Sequence, residues 1–335
     1  MKKIVVSLFI LLIMCGCSKD YKFSKLGYSD EEIAAINTLS EENRDLFLKG
    51  YNETLINLVT NKQFKEENLD EYLKFRNDFN DEYLFYLVNE NIVNDENFEK
   101  ILIISKDPYF ILEKTSEYLE FYGKYMNLRT LVEAVNSLSC YEQYSKEIAA
   151  DTSKNYLVLV NKFYTLDKNY EPDDLVEVDK KYTKYSLKLR KECYEAYIRM
   201  YEDGLEEGLD LSINSAYRNW QLQYDSYNRF LTIDPQNVVD TYSARPGHSE
   251  HQTGLAIDII SEGSNFDTFQ YTDEAKWMAD NCDKYGFIIR YTDEKKDVTL
   301  YKGEAWQVRY VGDEATKIKE SGLTFDEYYA YYLEK

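Results

Sequence analysis

The run from Ser249 to Asp258, Ser-Glu-His-Gln-Thr-Gly-Leu-Ala-Ile-Asp, constrains the fold of this chain more than any other stretch. Leu255, Ile257 and Ile259 alternate, so the segment reads as a strand with one apolar face, and Asp258 points to the opposite face. His251 lies seven residues before Asp258, after a loop containing Pro246-Gly247. Neutral imidazole and carboxylate oxygen are ligands that a borderline cation such as zinc accepts. A catalytic zinc takes three protein ligands and keeps one open position, and the usual third ligand is another His. The chain has two histidines, His248 and His251. Its third ligand is therefore of another type, or the site is incomplete.

Alternation recurs on both sides of this block. Asn155 to Val160, Leu209 to Ile213, Phe287 to Arg290 and Gln307 to Val311 read as strands. Helical faces fall between them. Leu189, Cys193, Ala196, Tyr197 and Met200 share one, with Gly204 and Gly208 marking its end. Trp220 to Phe230 is a second, and Ala275, Met278, Ala279 and Cys282 define a third. This order predicts an α+β domain over 152–335, built on a small mixed or antiparallel sheet with flanking helices. Residues 17–151 differ, being rich in Asn, Glu, Lys, Leu and Tyr. Glu71-Tyr72-Leu73-Lys74-Phe75 returns as Glu117-Tyr118-Leu119-Glu120-Phe121, and Leu87-Val88-Asn89 as Ala134-Val135-Asn136. A period of roughly 46 residues predicts an α-helical repeat region. Its tyrosines suit core and rim packing, with a sugar-binding platform as the alternative.

The first residues bear on location. Lys2 and Lys3 precede an apolar run from Ile4 to Met14, too short to span a bilayer and shaped like a secretory signal. Gly16 before Cys17 resembles the lipobox of bacterial lipoproteins, so 1–16 is expected to be a signal peptide. Cys17 would then be the lipidated N-terminus that ties the protein to the extracytoplasmic face of the cell membrane. Removing 1–16 takes two of the 40 basic side chains and none of the 61 acidic ones, moving the formal charge from −21 to −23. Such a surface excludes nucleic acid as a partner and leaves membrane attachment to the lipid. Cys140, Cys193 and Cys282 match no zinc-finger spacing, and an odd number cannot pair completely within one chain; Cys193 and Cys282, on apolar helical faces, are expected to be buried free thiols.

Three blocks in fixed order resemble the VanY-type D-alanyl-D-alanine carboxypeptidases. They are Ser215-Ala216-Tyr217-Arg218 with Gln223, then Pro246 to Asp258, then Glu304-Ala305-Trp306-Gln307-Val308-Arg309-Tyr310-Val311-Gly312. The resemblance implies a D-Ala-D-Ala peptidase-like fold, a zinc ion held by His251 and Asp258, and Glu304 as catalytic base. It implies that Arg218, Gln223 and Ser249 bind the substrate, a peptidoglycan stem peptide ending in D-Ala. Where the family carries its third zinc ligand, a His, this chain has Gln307, and its usual proline is Ala305. His248 reads as a rim residue, and Glu250 and Arg309 as supports of the site.

The chemistry agrees with these roles. Zinc polarises a carbonyl and acidifies bound water, a carboxylate takes the proton, and a guanidinium grips a terminal carboxylate bidentately. An amide oxygen is a weaker donor than imidazole, so one zinc ion is expected to be weakly held or absent. Hydrolysis is then expected to be weak or lost, with recognition of stem peptides retained. A fully active zinc carboxypeptidase in cell-wall remodelling and a non-enzymatic, protein-binding lipoprotein are the alternatives.

Overall fold

A computed structural model describes residues 19–334. The signal-like run and Cys17 lie outside the described residues. The chain divides into two compact units, 1–105 and 106–335, so the expected domain boundary at 151–152 falls inside the second. Among the described residues, no helix is long and apolar enough to cross a membrane.

The first unit is a succession of short helices, among them Asp30–Ile36, Glu53–Thr60, Leu69–Phe75 and Asp81–Asn89. Ser29, Ser40, Asn52 and Asn80 start four of them, each side chain accepting a backbone N–H three residues on. Phe23, Ile36, Phe47 and Ile56 fill the core between the earlier ones. The Tyr72 hydroxyl donates to the Asn89 side-chain oxygen and accepts the Lys65 N–H at 3.3 Å, while Asn89 donates to the Gln63 carbonyl at 2.9 Å.

The second unit opens on the same device. Tyr118, in helix Thr115–Phe121, donates to Asn136 Oδ1 at 2.5 Å and accepts the Ile111 N–H at 3.1 Å. Asn136, the last residue of helix Leu128–Asn136, donates to the Tyr109 carbonyl at 2.9 Å. The sequence echo is thus a Tyr–Asn clasp repeated in each unit.

Eight strands follow in the second unit: β1 (Ile148–Ala149), β2 (Tyr164–Thr165), β3 (Leu175–Glu177), β4 (Lys188–Arg190), β5 (Ile213–Ser215), β6 (Ala256–Ile259), β7 (Phe287–Tyr291) and β8 (Glu304–Tyr310). β1 and β2 form a parallel bridge, β3 and β4 an antiparallel pair. The main sheet is antiparallel throughout, in the order β5-β6-β8-β7. With its flanking helices this is the expected α+β class. Helices Lys191–Glu206 and Asp273–Asn281 cover one face, burying Cys193, Ala196, Tyr197 and Met278 against Leu255, Ile257, Ile259 and Val308. Cys193 and Cys282 are buried free thiols and Cys140 is a half-buried one.

Three local expectations fail: the strand read over Leu209 to Ile213 begins only at Ile213, because the Asp210 side chain takes the Ser212 N–H in a local turn, and the other two lie at Asn155–Val160 and Gly204. Asn155–Val160 is not a strand: a 3₁₀ turn spans Thr152–Leu157, and Val158 to Val160 run on without a ladder. Val158, Leu159 and Val160 are buried as a strand's side chains would be, but Arg309 Nη2 donates to the carbonyls of Tyr156 and Val158, at 3.0 and 2.7 Å. Gly204 lies inside its helix, where a Cβ would meet Leu211 Cδ1 at 2.7 Å, so it permits close packing and does not end the element.

Candidate active site

The period-two alternation of β6 places Ile257 and Ile259 in the core and Asp258 on the opposite face. There Asp258 stands in register with Ser215 of β5 and Gln307 of β8. His251 sits on the 3₁₀ turn Glu250–Thr253, which ends at Gly254 with φ 69°. A side chain at Gly254 would be strained in that conformation, and its Cβ would meet Leu175 Cδ2 at 2.9 Å. The tight turn brings His251 Nε2 to 3.3 Å from Asp258 Oδ1 and Nδ1 to 2.7 Å from the Ala216 carbonyl. A carbonyl only accepts, so Nδ1 carries a proton and Nε2 faces the carboxylate.

Beneath the turn lies an ion network with essentially no solvent exposure. Glu250 Oε1 is 2.8 Å from Arg290 Nε and 2.9 Å from Arg309 Nη1, and Arg290 Nη1 is 2.7 Å from Asp326 Oδ2. Glu250 and Arg309 therefore support the site, as expected. His248 does not sit on the rim: it is buried, with Nδ1 2.8 Å from the Asn161 carbonyl.

Arg218 follows β5. Its Nε donates to Gln223 Oε1 at 3.0 Å, Nη1 to Ser215 Oγ at 2.5 Å, and Nη1 lies 3.6 Å from Asp258 Oδ2. Asn219 caps helix Trp220–Leu231 and thereby presents Gln223 in the first turn. Gln223 is buried and also donates to the Ala244 carbonyl at 2.7 Å, so both ends of its amide are engaged in holding Arg218.

Glu304 opens β8 opposite Tyr291. Burial first, then the nearby charge of Asp258, lift its carboxyl well above the ordinary range, against the pull of Arg218 and Arg290. Asp258 behaves differently: burial pushes it up, but its contacts with His251 and then Arg218 outweigh this and hold it below its usual value. Arg218, Gln223, Ser249, His251, Asp258, Glu304 and Gln307 all line one cleft of about 810 Å³. Tyr291, Tyr301, Phe266 and Trp306 line it too. Trp306 belongs to the third block, but nothing in the sequence singled out the other three.

The donor set decides what cation this cleft suits. Asp258 Oδ1 is buried with no hydrogen-bond partner and faces His251 Nε2, an arrangement that favours a cation shared between them. Across the register the next donor is the neutral Gln307 amide. Among the described residues, no three His, Cys, Asp or Glu side chains gather as metal donors. Two strong ligands and one weak one do not fit a catalytic zinc, which takes three strong ligands and an open position.

The profile of VanY, D-alanyl-D-alanine carboxypeptidase, matches residues 186–313. YodJ of Bacillus subtilis (strain 168), a carboxypeptidase by name, is 41% identical over 185 residues, 52% of this chain and 67% of that protein. The bifunctional D-Ala-D-Ala dipeptidase and D-Ala-D-Ala carboxypeptidase VanXYC of Enterococcus gallinarum is 31% identical over 184 residues, 53% of this chain and 95% of that protein. The chain belongs to the VanY D-alanyl-D-alanine carboxypeptidase family. Among solved structures, the LdcB LD-carboxypeptidase aligns with a TM-score of 0.49 at 37% identity, covering 55% of this chain and 89% of that one. All seven expected site residues fall within the stretch that the VanY profile matches, while Tyr144, Lys162 and Asp326 fall outside it.

Proposed function

We propose that the cleft recognises peptidoglycan stem peptides ending in D-Ala, that hydrolysis there is weak or lost, and that a lipid on Cys17 holds the protein at the extracytoplasmic face of the membrane. Gln307, standing across the register from Asp258 where the family has its third imidazole, carries this reading. The rest of the cleft supports recognition. Arg218, oriented by Gln223 and Ser215, offers its guanidinium to a terminal carboxylate in a charge-assisted contact. Glu304, whose carboxyl burial raises above its ordinary range, lines the same cleft. Ser249 adds a hydroxyl to the same wall.

One observation favours a second reading, an active zinc carboxypeptidase: the unpartnered Asp258 Oδ1 aimed at His251 Nε2. The two are separated by measuring peptide affinity by calorimetry and D-Ala release on the same preparation, with an acyl-D-Ala-D-Ala peptide and zinc supplied. Binding with little or no release is expected. Release at an ordinary enzymatic rate, on the order of 1 per second or faster, overturns the proposal.

A further inference from the structure

Tyr144 lies before the stretch that the VanY profile matches, yet its side chain reaches both halves of the cleft wall. Its backbone is in the left-handed region, φ 61°, which a residue with a Cβ adopts only where its surroundings demand it. The surroundings here are specific. The Tyr144 hydroxyl accepts the Arg245 N–H at 3.3 Å and lies 3.4 Å from the Tyr301 hydroxyl. The Arg245 guanidinium stacks 4.0 Å above its ring, His248 meets the ring edge-on at 5.0 Å, and the Lys162 ammonium lies 5.0 Å away. Lys162 extends the cluster: it donates to the Asp240 carbonyl and sits 3.8 Å over the Tyr301 ring.

The neighbours of Tyr144 lead directly into the site. Arg245 and His248 precede Ser249 and His251, the first half of the constellation. Tyr301, packed 4.8 Å from Tyr291, precedes Glu304 and Gln307, the second half. These two segments are far apart in sequence, and the ladder between β6 and β8, which runs from Ala256 with Arg309 to Asp258 with Gln307, includes no residue of 245–251. We propose that Tyr144 is a positioning residue that braces the 245–251 segment against the 301–307 segment and so sets the width of the cleft. The segment ahead of the peptidase fold thereby takes part in the site without touching the peptide.

The affinity arm of the test rests on the peptide recognition proposed above; the exchange arm does not. Peptide affinity is measured by calorimetry with an acyl-D-Ala-D-Ala peptide, and amide hydrogen exchange is followed over 245–251 and 301–307 in the full chain. Tyr144→Ala is expected to weaken binding by about tenfold and to speed exchange in both segments, as loss of the ring removes two cation–π contacts and two hydroxyl contacts. Tyr144→Phe keeps the ring and is expected to recover most of the affinity. Tyr118→Phe, which loosens the clasp elsewhere in the same unit, is expected to lower the melting temperature and leave affinity and local exchange unchanged. Should Tyr144→Ala not fold, Tyr144→Leu, which keeps bulk but no π face, is judged in the same way. Wild-type exchange at both segments in a folded Tyr144→Ala or Tyr144→Leu protein overturns the brace, as does equal loosening of these segments by Tyr118→Phe. If the wild-type protein binds no peptide, the recognition proposal fails while the exchange arm still decides the brace.

Discussion

The Tyr–Asn clasps and the cleft both bury polar side chains, and they treat them in opposite ways. In the clasps, Tyr72 with Asn89 and Tyr118 with Asn136, each hydroxyl both donates and accepts, and each amide reaches a backbone carbonyl. Around the cleft, buried atoms lack hydrogen-bond partners: Asp258 Oδ1, Glu250 Oε2, Arg290 Nη2 and Arg309 Nη1 among them. Arg309 Nη1 is only 2.9 Å from Glu250 Oε1, so that contact is one of charge without hydrogen-bond alignment. Satisfied neutral groups hold helices together; of the unsatisfied charged atoms, Asp258 Oδ1 faces the cleft beside His251, where a cation can complete it, while the others belong to the buried ion network. The lesson is that stability and recognition are built from the same residue types and differ in how many partners the fold supplies.

The contrast can be broken most severely at Glu250. Glu250→Ala leaves Arg309 buried without its carboxylate and Arg290 with Asp326 alone. Removing one partner of a buried ion network costs about 3–5 kcal/mol, read as a fall in the urea midpoint at constant m-value. A cost no greater than that of a clasp variant would mean that the network is solvated and the contrast is false.

The clasp itself comes next. Tyr118→Phe strands Asn136 Oδ1 and the Ile111 N–H and is expected to cost about 1–3 kcal/mol by the same measurement. Because the clasp is neutral over the working range, with burial raising the Tyr118 hydroxyl, that cost should be flat between pH 7 and 9.

Lys162 sharpens the comparison by its pH dependence. Burial lowers its ammonium from 10.5 to about 7. Between those values the unfolded chain binds the extra proton, so stability rises with pH through this window, and the full penalty is present below it. Against Lys162→Met, the wild-type protein is expected to gain on the order of 1 kcal/mol for each pH unit from 7 to 9. A difference that stays constant with pH would place the amine in contact with water.

Much of this was legible in the sequence, for physical reasons. Strict alternation at Leu255, Ile257 and Ile259 left Asp258 a single direction, and the three motif blocks brought the expected side chains to one cleft. Asn155 to Val160 misled because burial and strand pairing leave the same apolar pattern, and a guanidinium from β8 took the carbonyls a neighbouring strand would have used. His248 read as rim because its partner, the Asn161 carbonyl, is a backbone atom that no side-chain pattern reveals. Tyr291, Tyr301 and Phe266 reach the cleft through tertiary packing, which a single sequence does not encode locally.

The central claim is that Gln307 leaves the cleft one strong ligand short. Zinc affinity in zinc-buffered solution, wild type beside Gln307→His, tests it most directly. Imidazole and the Gln side chain have similar reach, so the exchange should fit the space between β6 and β8. Loss of even an outer partner of a zinc ligand costs about 10- to 100-fold in affinity, so the variant is expected to bind at least about tenfold more tightly and to release D-Ala faster. Stoichiometric, tight zinc binding by the wild-type protein, unimproved by Gln307→His, would contradict the account.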